Sequence, residues 1–185
     1  MFSVLWKIGL QFLPWTHYFS TSTTTAPATC VTSSCGSRFF FDTYTVPEGF
    51  YTDTTYADAQ PTETQRGEWR TLVQRLLTVD NANCGITPPS TLVDIYAICS
   101  FQEYCVLYET TLNSRGTYNK GWGSMIVPSL RFHVARRIHI SAPHPGADFG
   151  TVEQAAAIFQ RTGSNSLLVT GRHRNAFIHA FRPTV

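Results

Sequence analysis

The feature that most constrains this 185-residue chain lies between residues 137 and 170. Arg137-Ile138-His139-Ile140-Ser141-Ala142 is rich in β-branched residues and predicts a strand. Pro143 to Gly150 holds two prolines and two glycines and is neither helix nor strand. Thr151-Val152-Glu153-Gln154 then has the pattern of a capping box, with Thr151 as the N-cap and Gln154 three residues on. Val152, Ala155, Ala156 and Phe159 recur at helical spacing as a buried face, and Thr162-Gly163 is a natural stop. Ser166-Leu167-Leu168-Val169-Thr170 predicts the second strand. Strand, helix and strand of these lengths make a βαβ unit, whose two strands run parallel.

That topology places a crevice. Ligands of parallel sheets sit beyond the carboxyl ends of the strands. The loops leaving those ends are 143–150, with His144 and Asp148, and 171–175, with Arg172, His173 and Arg174. The helix N-terminus at Thr151 adds partial positive charge to the same place.

The charge distribution singles out the same region. Residues 1–130 carry seven Lys/Arg against ten Asp/Glu, whereas residues 131–185 carry seven Arg against Asp148 and Glu153 alone. Five of the six histidines, His133, His139, His144, His173 and His179, also lie in the C-terminal part. Twelve of the fourteen basic residues are Arg, whose planar fork suits carboxylate or phosphate better than Lys does. His139, inside a strand, is expected to be a packed core residue.

Apolar residues make up 43% of the chain, enough for a core, while charged residues reach only 14%, against about 25% in ordinary domains. This excludes a coiled coil, a charge-rich disordered tail and, in the absence of any Lys-rich tract, a nucleic-acid partner. No apolar run of about 20 residues occurs, so no stable membrane span is expected. No Gly-rich nucleotide fingerprint follows a strand, and Ser141 is not in a Gly-flanked nucleophile turn.

The cysteines at 30, 35, 84, 99 and 105 form no C-x-x-C pair. Two of Cys84, Cys99 and Cys105 could be bridged, and a disulfide involving Cys84 is set against none at all. Such a bridge belongs in an oxidising compartment. Residues 1–37 hold an apolar stretch with Lys7, a Thr/Ser run and Ala26-Pro27-Ala28. They read as a leader with a signal peptide and linker, or as a disordered leader. Secretion is the expectation.

Elsewhere, residues 38–61 read as extended segments and turns. Trp69, Leu72, Val73, Leu76 and Leu77 mark an amphipathic helix ending before Asp80. Thr91 to Cys99 is expected as a short helix, and Tyr104–Glu109 and Ser124–Val127 as strands. Only fifteen residues follow Thr170, too few for another full βα unit, so the βαβ unit is expected near a sheet edge. The expected architecture is a single α/β domain over 38–185, either whole or cut short at its C-terminal end, with a mixed sheet and a C-terminal parallel βαβ unit.

Three functions compete for these residues. A zinc-dependent hydrolase of an amide or peptide-like bond needs imidazole and carboxylate ligands with an open position for water. His144, Asp148 and His173 would be the ligands and Glu153 the general base. Arg172, Arg174 and Thr151 would bind an anionic small-molecule or peptide-like substrate. The second reading is a phosphate-ester hydrolase or a metal-free anion-binding protein, built on the Arg172–Arg174 loop and the helix N-terminus. The third is a non-catalytic secreted protein whose arginines and exposed aromatics bind a partner.

The stretch from His139 through His144, Asp148 and Thr151 to Gln154, with Ser166 to Arg174 after it, resembles a group of uncharacterised secreted fungal proteins. It is also distantly similar to zinc-dependent hydrolases of poly-γ-glutamate. The resemblance covers about forty residues. It implies a carboxypeptidase-like or phosphorylase/hydrolase-like fold, with His144 as first metal ligand and Asp148 as the acidic ligand. In those enzymes the acidic ligand is Glu at a longer spacing, and the last His lies on a later strand. His173 or His179 would have to replace it.

Overall fold

The computed structural model describes residues 44–178. The leader expected over 1–37, with Cys30 and Cys35, lies outside them, as does His179. The elements run α1 (Asp53–Asp58), α2 (Glu63–Leu77), β1 (Tyr96–Phe101), β2 (Tyr104–Glu109) and β3 (Ser124–Pro128). A 3-10 turn (Arg131–His133) leads to β4 (Arg136–Ala142), α3 (Thr151–Thr162) and β5 (Ser164–Val169). The five strands form one mixed sheet in the order β1-β2-β3-β5-β4, so the architecture is α/β. β4 and β5 pair in parallel across α3, as the sequence predicts, while all other pairs are antiparallel.

Alternation along the strands sorts side chains to two faces. Val106 and Ile126 point to one face, where they pack with Ala142, Leu167 and Val169 under Val152, Ala155, Ala156 and Phe159 of α3. These four helix residues are the buried face read from the sequence. Cys105, Leu107, Met125 and Val127 point to the other face and pack against Leu72 and Leu76 of α2. Complete burial of each of those leucines stabilises the fold by about 1.5–3 kcal/mol. A disulfide between Cys84 and Cys105 joins the turn after α2 to β2 inside this second core.

A third cluster sits beside the sheet. Val46, Tyr51, Ala59, Tyr118 and Ala176 are buried there, with Tyr44, Phe50, Tyr56 and Phe177 packed around them. Val46 bridges Arg172 and Tyr51 bridges Phe177, both in parallel sense, so the chain after β5 runs beside the segment before α1. The turn at 121–123 is what permits this approach. A Cβ on Gly171 would lie 2.8 Å from Gly121 Cα, and one on Gly123 would lie 2.5 Å from the Val169 carbonyl oxygen.

Three local expectations are corrected. Residues 96–99 form the start of strand β1, not a helix, because the run pairs in register with β2 from Tyr96↔Glu109 to Phe101↔Tyr104. The 38–61 region contains a helix, α1, opened by a reciprocal capping box between Thr52 and Thr55. Finally, Gly150 in the left-handed conformation, not Thr151, caps α3. The Thr151 hydroxyl donates to the Asp148 carbonyl at 2.6 Å, which removes it from the capping position.

Candidate functional site

The βαβ unit brings the two predicted loops together. The Thr170 N–H donates to the Ala142 carbonyl at 3.2 Å, and its hydroxyl donates to the Pro143 carbonyl. Further out, the Arg174 guanidinium forms an ion pair with the Asp148 carboxylate. Loops 143–150 and 171–175 are therefore in contact at the carboxyl ends of β4 and β5.

What each candidate does within it is specific. The His144 carbonyl accepts from the Ala147 and Asp148 N–H groups at 3.2 and 3.0 Å, closing a turn that leaves the imidazole half-buried. Asp148 faces Arg174. His173 Nδ1 accepts from the Asn175 N–H at 3.1 Å, while the backbone N–H of His173 donates to the Val46 carbonyl at 2.9 Å. A zinc-bound imidazole instead donates its second ring N–H outward. Glu153 is exposed in the first turn of α3. Among the described residues, no three His, Cys, Asp or Glu side chains are gathered so as to hold a metal ion.

Arg172 is engaged elsewhere. Its Nε donates to the Lys120 carbonyl at 3.0 Å, and its Nη2 donates to the Lys120 and Ala59 carbonyls at 2.6 and 3.1 Å. The guanidinium carbon stands 5.1 and 5.3 Å from the ring centroids of Tyr51 and Tyr56. This half-buried side chain braces the third cluster through charge-assisted bonds and cation–π contact. Arg174 remains at the surface.

Two groups escaped the sequence reading. Glu109 is a buried carboxylate at the end of β2. It accepts from the backbone N–H groups of Lys120 and Gly121 at 2.5 and 2.8 Å and from the Thr111 hydroxyl at 3.1 Å. Burial raises its pKa from the ordinary carboxyl value, with these hydrogen bonds acting against the rise. Together with Arg172 it fixes the 120–122 turn from two sides. No sequence motif marks it, because its partners are backbone groups.

The second is β4 itself, where Arg136, Arg137, Ile138, His139 and Ser141 are all exposed. His139 is thus a surface histidine, contrary to expectation; its Nδ1 lies 2.6 Å from the Ser166 hydroxyl. The paired arginines opening the strand were the available signal. Arg131 and Arg161 are exposed on the neighbouring 3-10 turn and the last turn of α3.

No helix of the described residues is long and apolar enough to cross a membrane. No protein-family model matches this chain, and no curated protein or solved structure matches it either.

Proposed function

We propose that this chain is a non-catalytic, extracellular protein that binds an anionic partner without a metal. The observation that carries this reading is the exposure of Arg136, Arg137 and His139 along one edge strand. Like charges held in water attract a polyanion in a salt-dependent way. The loop groups suited to chemistry already have partners of their own: Asp148 has Arg174, Arg172 has backbone carbonyls, and His173 Nδ1 has the Asn175 N–H. The Cys84–Cys105 disulfide supports an oxidising location. The test is retention of the purified protein on immobilised polyglutamate at low ionic strength. The reading expects retention that is lost as salt rises and that survives a chelator. Passage without retention at low salt would refute it.

The zinc-hydrolase reading, with its carboxypeptidase-like fold, draws support from one observation, the meeting of the 143–150 and 171–175 loops. It requires Asp148 to leave Arg174 and His173 Nδ1 to release the Asn175 N–H, so that both side chains turn toward His144. Zinc content of the untagged protein beside His144→Ala separates the two. Near-stoichiometric zinc, lost in the variant, would favour the hydrolase.

A further inference from the structure

The anion-binding reading says what charge the partner carries; the backbone of β4 says what shape. β4 is the last strand of the sheet, and among the described residues it pairs with β5 alone. The Ala142 carbonyl points inward, where it accepts from the Thr170 N–H. The register with β5 shifts between Arg136 and His139 and is regular over His139–Ala142; peptide groups alternate sides along this regular stretch, so those of Ser141 and His139 point away from β5. They offer donors and acceptors to a further strand.

The side chains over that edge select the partner. Arg136, Arg137 and His139 are exposed on the strand, with Arg131 and Arg161 on the adjacent turn and helix end. Charged residues commonly protect sheet edges from joining other strands. Here the basic groups are of one sign, so they repel a basic strand but admit an acidic one. Apolar contact is also on offer, since Ile138 is 42% and Phe132 76% exposed. Residues 1–43 contain Asp42 as their sole acid and residues 179–185 contain none, so the acidic complement to this edge is sought in another chain.

Resting on the anion-binding reading, we infer that β4 is a strand-addition site for an extended acidic peptide. Main-chain hydrogen bonds to His139 and Ser141 would give register, and the arginines would recognise the acidic side chains. Binding energy then has two separable parts, one that needs the peptide's backbone N–H groups and one that needs only its charge.

The experiment titrates the full chain with a synthetic peptide of alternating Glu and Val. A second peptide has the same sequence but is N-methylated at alternate residues, in both possible registers. Binding is read by calorimetry and the oligomeric state by light scattering. The expected result is saturable 1:1 binding, weakened roughly tenfold or more by N-methylation in one register. The Arg137→Glu variant should weaken binding similarly. Ser141→Pro, which removes an outward N–H at an edge position where Pro is tolerated, should reproduce the N-methylation loss. Should Ser141→Pro fail to fold, the methylated peptides decide alone. Equal binding of the methylated and unmethylated peptides would overturn strand addition while leaving anion binding standing. No binding of either peptide, with no retention on polyglutamate, would overturn both. A dimer or filament formed without peptide and blocking its binding would overturn the acidic-peptide assignment in favour of a second copy of this chain.

Discussion

Arg174 and Asp148 form an ion pair that links the loop after β5 to the loop after β4. Both side chains retain substantial exposure, 49% and 31%. The pair therefore orients two loops more than it stabilises the fold. A double-mutant cycle of Asp148→Asn and Arg174→Gln, followed by chemical denaturation, should give a coupling of about 0.2–1 kcal/mol. A coupling several times larger would show that the loops are a structural keystone.

The backbone contact between Gly121 and Gly171 makes a different prediction. A Cβ on Gly171 meets backbone atoms, which cannot move as a side chain tip does. Gly171→Ala should cost about 1–3 kcal/mol or more. Gly67, within α2, has open space around it. Gly67→Ala should stabilise the protein by about 0.5–1 kcal/mol. Thermal unfolding of the two variants beside the parent checks both signs.

The Cys84–Cys105 bridge closes a loop with a sequence separation of 21. Opening it with the Cys84→Ala, Cys105→Ala double variant should lower unfolding free energy by about 2–4 kcal/mol. Denaturant titration reads this directly. An unchanged midpoint would mean the second core holds without the bridge.

Glu109 predicts a pH signature. Its folded pKa lies above its ordinary value of 4.5 because burial disfavours the anion. Between the unfolded and the raised folded value, the folded state binds more protons. The contribution of this group to stability therefore falls as pH rises through that window. Glu109→Gln should remove this slope. It should also destabilise the protein by about 1–3 kcal/mol at neutral pH, because an amide NH2 cannot accept from the Lys120 or Gly121 N–H. Stability measured across the acid range for parent and variant tests both statements.

Where periodicity was long, the sequence was legible. The four buried residues of α3 and the parallel pairing around it follow from spacing alone. The convergence of the 143–150 and 171–175 loops follows from topology, and the Asp148–Arg174 pair is its outcome. β1 was not legible because Tyr96–Phe101 is a short apolar run that suits either helix or strand. Its state is decided by β2, reached through a tight turn with Gln102 at φ 52°. The bracing role of Arg172 was not legible for a similar reason: the carbonyls it serves, Ala59 and Lys120, are 113 and 52 residues away along the chain. Nothing local distinguishes an arginine that braces the fold from one that waits for a ligand.

If an acidic partner binds at the β4 edge, the amides of that strand must respond to it. The decisive experiment records amide chemical shifts while the metal-free protein is titrated with the alternating Glu/Val peptide. The expected changes centre on Arg137, His139 and Ser141, diminish with added salt and are smaller with the N-methylated peptide. Changes centred instead on His144, Asp148 and His173, with β4 unmoved, would contradict it.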